Sequence, residues 1–227
     1  MKIGINLVGV SYNDGKDGGR YRNYKDSIDS FFNYVVDPLE IQGHEVQFFI
    51  YTYDSIKKNH ILHDYQPVTS SFIEPILNSA GGGDRLTTGM KLMSATYMNS
   101  LDQLVNYDRY HDLDVIISTR FDISFNVNPF EEFDYDFDKC NFLWREPEQT
   151  HIPIVSDTFI VLPRKMAHDL SMAILEMETN PPHNFKAGMH NIYLPMVNMV
   201  GEKNVQWVCD EFHRSDRNPY YKLTRSE

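Results

Sequence analysis

Residues Lys2 to Val10 are an almost unbroken apolar run, and no other feature constrains the fold as strongly. A strand with one face to water alternates apolar and polar side chains. A strand that is apolar at nearly every position needs cover on both faces, as inside a parallel sheet. Loop chemistry follows over Asn13 to Gly19, rich in Asn, Asp and Gly. Tyr24, Ile28, Phe31, Phe32, Val35 and Leu39 then recur at spacings of three and four, which predicts a helix with one buried stripe. Pro38 is expected to end or kink that helix. Glu45 to Tyr53 supplies a second strand, completing a βαβ unit.

Residues 54 to 84 are irregular, with Pro67, Pro75 and the glycines 81 to 83; Asp84 is a candidate cap for the next helix. There Leu86, Met90, Met93, Tyr97, Leu101 and Leu104 form one apolar stripe. A third buried strand, Leu113 to Ser118, runs into Thr119-Arg120-Phe121-Asp122 and on to Phe125. A turn at Pro129 and an acidic aromatic stretch, Glu131 to Asp138, precede a short strand at Asn141 to Arg145. Ile152 to Leu162 reads as one strand with Asp157 inside it, and Pro163 as the first residue of a helix bearing Met166, Leu170, Ile174 and Met177. A last helix, Met189 to Val200, stops at Gly201, and Val205 to Cys209 is a final strand. The expected fold class is α/β: one Rossmann-like domain over residues 1–212 with a mostly parallel central sheet flanked by helices, and a loosely held tail over 213–227.

At 227 residues the chain suits one domain, which buries roughly 70% of its unfolded surface without staples. With 21 basic and 32 acidic residues the formal charge is -11, a surface that repels nucleic acid and anionic membranes. No apolar run approaches the ~18 residues of a membrane span, and the first residues lack the shape of a signal peptide. Cys140 and Cys209 stand apart and in no CxxC pair, which argues against zinc or a disulfide framework and for a reducing, cytoplasmic setting.

Ligands of open α/β sheets bind beyond the carboxyl ends of the strands. That rule selects Val8 to Tyr12, Tyr53-Asp54, Arg120 to Asp122 and the surroundings of Asp157. Arg120-Phe121-Asp122 is the most informative of these, because a buried strand rarely finishes in charges unless they meet something. Side chains two apart on an extended chain share a side, so Arg120 and Asp122 form either a plain ion pair or an anion-binding site.

The stretch Tyr110 to Phe125, with its strand leading into Arg120-Phe121-Asp122, resembles the central segment of small GT-A type glycosyltransferases, closest to bacterial and viral polysaccharide- or capsid-glycan-building enzymes, which carry a D-x-D motif or an R-x-D variant. Val46 to Asp54 looks like their second strand, and Ser156-Asp157-Thr158-Phe159-Ile160-Val161 like their acceptor-side strand. The resemblance covers roughly residues 1 to 210 at the level of pattern. It implies a hexosyl- or deoxyhexosyltransferase that takes a UDP- or GDP-linked sugar and passes it to a glycan or glycoprotein hydroxyl, in host-cell cytoplasm if virus-encoded, with other domains of a longer polypeptide as candidate partners.

Carried over by position, Asp122 matches the metal-binding last Asp of the motif, for Mn²⁺ or Mg²⁺, while Arg120 replaces the first Asp. A guanidinium and a divalent ion about 4 Å apart repel by roughly 8 kcal/mol at an effective dielectric of about 20, so Arg120 either reaches past a metal to phosphate or takes its place as a clamp. His190 is the candidate second metal ligand; His151, His183 and His213 are weaker, and His60 and His63 weakest. Asp157 is the candidate general base, with Glu146 and Asp210 behind it. Val8, Gly9, Val10, Tyr12 and Asp54 are expected around base and ribose, and Arg85 and Lys91 near phosphate. The glycines 81 to 83 lack the Lys of a Walker loop, and Asp134 to Asp138 follows no buried strand, so neither is taken as a phosphate or metal motif. Two alternatives remain at this stage: a non-catalytic module that binds nucleotide or glycan, and a nucleotidyltransferase or phosphohydrolase, which the chain after its first strand does not favour.

Overall fold

The computed structural model describes residues 1–15, 20–74, 85–146, 153–181, 189–214 and 216–224, with the backbone alone for 85–92. Strands β1 (Lys2–Gly9), β2 (Tyr12–Asn13) and β3 (Arg22–Asn23) come first, then helices α1 (Ile28–Phe31) and α2 (Asp37–Ile41), β4 (Glu45–Tyr53), α3 (Lys58–Tyr65), β5 (Thr69–Ile73), α4 (Arg85–Val105), β6 (Val115–Arg120) and β7 (Ile123–Phe125). The second half holds α5 (Pro129–Glu132), β8 (Cys140–Phe142), β9 (Arg145–Glu146), β10 (Ile154–Val155), β11 (Phe159–Pro163), α6 (Ala167–Thr179), α7 (Tyr193–Val200), β12 (Val205–Trp207) and β13 (Tyr221–Leu223).

Seven strands form one sheet in the order β12-β8-β11-β6-β1-β4-β5. Every neighbouring pair is parallel except where β11 meets β6 and β8. The fold is therefore α/β with a mostly parallel sheet between helices, as the apolar runs predict. Ile3, Ile5 and Leu7 face one layer, with Phe31, Val35, Leu39 and Tyr65. Val8 faces the other, with Leu101, Leu104 and Leu170. Each fully buried side chain of this size contributes about 1.5–3 kcal/mol, so β1 is anchored from both sides. Asn6 is the polar exception within it. Its amide donates to Ser100 Oγ at 3.0 Å and Ser118 Oγ at 3.2 Å, which offsets the cost of burial.

The chain leaves β1 for β4 and β5 on one side, then returns to lay β6 on the other. That reversal makes the crevice beyond β1 and β6 the topological switch point, where ligands of such sheets bind. Because β11 runs against its neighbours, its beginning rather than its end lies at this edge, with Phe159 opposite Thr119.

Several boundaries differ from expectation. Pro38 sits inside the helical stretch, which continues to Ile41. A five-residue widened turn, Phe32–Val36, lies just before it and closes on a bond from the Asp37 amide to the Phe32 carbonyl. The wider turn accommodates a residue that has no N–H to give and would crowd the preceding turn. The single strand expected over Ile152 to Leu162 is two, β10 and β11, and Asp157 lies in the bend between them. Pro163 closes β11 instead of opening the helix, which begins at Ala167. The candidate cap Asp84 lies outside the described residues.

Residues 216–224 do not trail from the domain. Tyr221 pairs with Phe125 through β13 and β7, and its side chain is buried. The ring stacks on Trp144 with centroids 5.3 Å apart, and the hydroxyl shares a 2.6 Å hydrogen bond with Thr158 Oγ1. Among the described residues no helix is long and apolar enough to cross a membrane.

Candidate active site

Arg120 is the last residue of β6, and the chain turns through Phe121 and Asp122 into β7. Two contacts from distant segments hold this turn. Ser27 Oγ donates to the Phe121 carbonyl at 2.5 Å, and the Thr224 amide donates to the Asp122 carbonyl at 2.8 Å. The bend before β11 is fastened from the neighbouring layer, where the Tyr97 hydroxyl of α4 donates to the Asp157 carbonyl at 2.5 Å. Thr119 Oγ1 also reaches the Thr158 carbonyl at 2.8 Å.

These anchors bring together the two charged sites that the sequence singles out. The Arg120 guanidinium donates from Nε to Asp122 Oδ1 at 2.9 Å and from Nη2 to Asp122 Oδ2 at 2.8 Å. Its Nη1 donates to Asp157 Oδ2 at 3.2 Å. Arg22, on the β2–β3 hairpin that follows β1, donates from Nε to Asp122 Oδ2 at 3.3 Å. The Asp122 and Asp157 side chains are only 4% and 2% exposed, and those of Arg120 and Arg22 14% and 19%. Asp157 Oδ1 is sealed from solvent and has no hydrogen-bond partner. Burial opposes the Arg120 charge, but Asp122 and Asp157 outweigh it and hold the guanidinium well above its ordinary pKa. Arg22 is pulled below its ordinary value by burial, which Asp122 offsets and Arg120 reinforces.

His190 lies in the turn before α7, where its Nδ1 donates to the Val155 carbonyl at 3.0 Å and stands 3.7 Å from Glu146 Oε2. Burial lowers its pKa, but Asp157, Glu146 and the Val155 carbonyl outweigh that and leave it raised. Of the two residues expected to hold a cation, Asp122 has both oxygens already accepting from guanidinium groups. His190 gives Nδ1 to the Val155 carbonyl, which leaves Nε2 as the nitrogen that could meet a ligand. Among the described residues, the one group of three or more potential ligand atoms within 4.8 Å of one another is Cys209, Glu211 and His213. A divalent ion on Asp122 would first have to displace Arg120, so no chemical step below passes through a metal.

The remaining candidates divide. Val8 is fully buried in the core and offers no side chain to a ligand. Gly9, at φ +93, has open space where a side chain would stand, and Val10 and Tyr12 are half-buried beside it. The left-handed backbone at Gly9 favours glycine. Asp54 is exposed at the end of β4, with Oδ1 accepting from the Ser55 amide at 2.9 Å. Arg85 and Lys91 lie on α4, but their side chains fall outside the described residues, as do His151 and His183. His60 and His63 are exposed on α3, and Asp210 is exposed as well. The sequence reading missed Arg22, because its hairpin has two-residue strands and no periodicity. The only signal was a pair of arginines, Arg20 and Arg22, in the loop after a buried strand.

An open depression of about 540 Å³ lies apart from this cluster, lined by Lys25, Ile28, Phe32, His63 and Asp64 among others. It contains none of the switch-point charges, and the chemistry of the crevice outweighs its size as a guide to function. No protein-family model matches the chain, and no curated protein is significantly similar to it.

Proposed function

We propose that the chain is a glycosyltransferase that takes a sugar from a UDP- or GDP-linked donor and passes it to a hydroxyl of a glycan or glycoprotein. The observation that carries this reading is the meeting of Arg22, Arg120, Asp122 and Asp157 at the switch point, with one buried carboxylate oxygen unpartnered. Glycosyl transfer expels a diphosphate, and fixed donors aimed at the departing charge supply the main stabilisation of the transition state. Arg22 and Arg120 are the donors available here. Asp122 holds both guanidinium groups at one point, and guanidinium suits phosphate because its donors form a flat fork. Gly9, Val10 and Tyr12 flank the crevice where the base and ribose would lie, and Asp54 stands at the end of β4.

In the transfer the acceptor oxygen forms a bond to the anomeric carbon. The bond from that carbon to the diphosphate oxygen breaks, and its electron pair leaves on the nucleoside diphosphate. The acceptor proton passes to the Asp157 carboxylate, which has to be uncovered before a hydroxyl can reach it. A second reading, binding of nucleotide or glycan without turnover, is favoured by one observation: the Arg120 fork is closed on Asp122 in this arrangement.

Incubation with UDP- and GDP-sugars separates the two. Release of free nucleoside diphosphate that persists with a chelator is the expected result for the transferase. Thermal stabilisation by nucleotide with no release supports the binding module. If no nucleotide or sugar nucleotide stabilises the protein, both readings fail.

A further inference from the structure

Beyond β12 the chain places Cys209, Glu211 and His213 at alternate positions. Side chains two apart share a side where the backbone is extended. Here they converge: one sulfur, one carboxylate oxygen and one imidazole nitrogen lie within 4.8 Å of one another. The sequence argued against a zinc site because the cysteines are unpaired. The fold supplies a carboxylate and an imidazole in place of the missing cysteine.

The positions are fixed by backbone contacts. The Cys209 amide donates to the Leu143 carbonyl at 3.0 Å, and the His213 amide to the Arg145 carbonyl at 3.2 Å. The His213 ring is held edge-on between Trp144, at 5.3 Å, and Tyr220, at 5.4 Å. Its Nε2 is sealed from solvent and lies 2.8 Å from Glu211 Oε2, yet makes no well-aligned hydrogen bond. The ring nitrogen and the Glu211 carboxylate oxygen thus already face one another beside the Cys209 sulfur. Glu211 is exposed, so this side of the cluster is open to water.

We propose that Cys209, Glu211 and His213 form a binding site for Zn²⁺ or a closely similar divalent transition ion, with water completing the coordination on the Glu211 side. Thiolate with imidazole selects this class of ion, whereas Mg²⁺ and Ca²⁺ want oxygen donors alone. Binding requires the thiolate, so the Cys209 proton is released to solvent as the metal enters. The bound ion fastens Cys209 to His213 against the edge formed by Leu143 to Arg145. None of its ligands belongs to the switch-point cluster, so this site stands or falls independently of the proposed transfer.

Cobalt tests the assignment, because Co²⁺ occupies zinc sites and a thiolate ligand gives it a charge-transfer band. The whole chain, kept reduced, is titrated with Co²⁺. One ion per chain is expected, with a thiolate band that Zn²⁺ displaces and Mg²⁺ does not. C209S abolishes the band, C140S leaves it unchanged, and E211Q and H213Q each weaken binding at least about tenfold. Glu211 is exposed, so E211Q keeps its fold even if C209S does not, and far-ultraviolet circular dichroism checks each variant. The proposal is overturned if no band forms, if the band survives C209S, or if E211Q and H213Q both bind Co²⁺ as tightly as the unaltered chain.

Discussion

Two charge clusters in this molecule use the same kinds of group with different consequences. At the switch point Arg120 and Arg22 meet Asp122 and Asp157, all of them largely buried. On the rim of the open depression Lys25 Nζ meets Asp64 at 2.7 Å, but the lysine is 48% exposed. The Tyr24 hydroxyl also donates to Asp64 at 2.6 Å. Burial alone would raise the Asp64 pKa. Hydrogen bonds from Lys25, Tyr24 and His63 overcome it and hold the group at about 2. The comparison teaches that the same contact is an adjustment at the surface and a commitment inside. Buried carboxylates without their guanidinium partners have nowhere to place their charge.

Removing Arg120 tests the comparison most severely. Arg120→Met is expected to cost about 3–5 kcal/mol in urea unfolding, because the buried Asp157 loses its ion pair and the buried Asp122 loses its two-point fork. A loss under about 1 kcal/mol would erase the distinction between the clusters. Next comes Asp122→Asn, which keeps the shape and removes the charge that gathers both arginines. We expect donor turnover to fall at least about 100-fold while the far-ultraviolet spectrum is unchanged. Full turnover in that variant would remove Asp122 from the site.

Acid should reach the rim cluster in a defined window. The folded pKa of Asp64 lies below its ordinary 3.8, so its stabilisation, about 2 kcal/mol, is present above about pH 4 and lost as pH falls through about 2. Asp64→Asn should flatten that part of the stability curve, and an unchanged acid limb would show that the pair contributes nothing. Lys25→Ala, at the exposed end of the same pair, should cost under about 1 kcal/mol. His190 moves in the opposite sense. Its folded pKa is raised, so its contribution is complete below the unfolded value and is lost as pH rises through the folded one. His190→Gln should remove that alkaline-side loss, measured by unfolding across neutral pH.

What could be read in advance depended on how local its physics was. β1 and β6 were legible because a strand covered on both faces writes burial into nearly every residue, and α4 because its stripe repeats over 21 residues. β5 was not, since Thr69-Ser70-Ser71-Phe72-Ile73 is a half-buried edge strand with little apolar signal. Arg120, Asp122 and Asp157 could be chosen singly from their places at strand ends. Their pairing could not, because it depends on β11 running backwards beside β6. Arg22 was hidden for the same reason, since its contact with Asp122 joins segments 100 residues apart; Cys209, Glu211 and His213 do alternate along one segment, but that their ligand atoms converge shows only in the fold.

The amide of Thr224, bonded to the Asp122 carbonyl, has a bearing on when the crevice is finished during synthesis. Translation delivers Arg22, Arg120 and Asp157 in turn, and loop-closure entropy opposes each meeting until the intervening chain exists. The turn bearing Asp122 receives its last backbone clamp only after residue 224 has left the ribosome. A nascent chain stalled short of that point would carry the sheet but a turn at Asp122 without its Thr224 clamp.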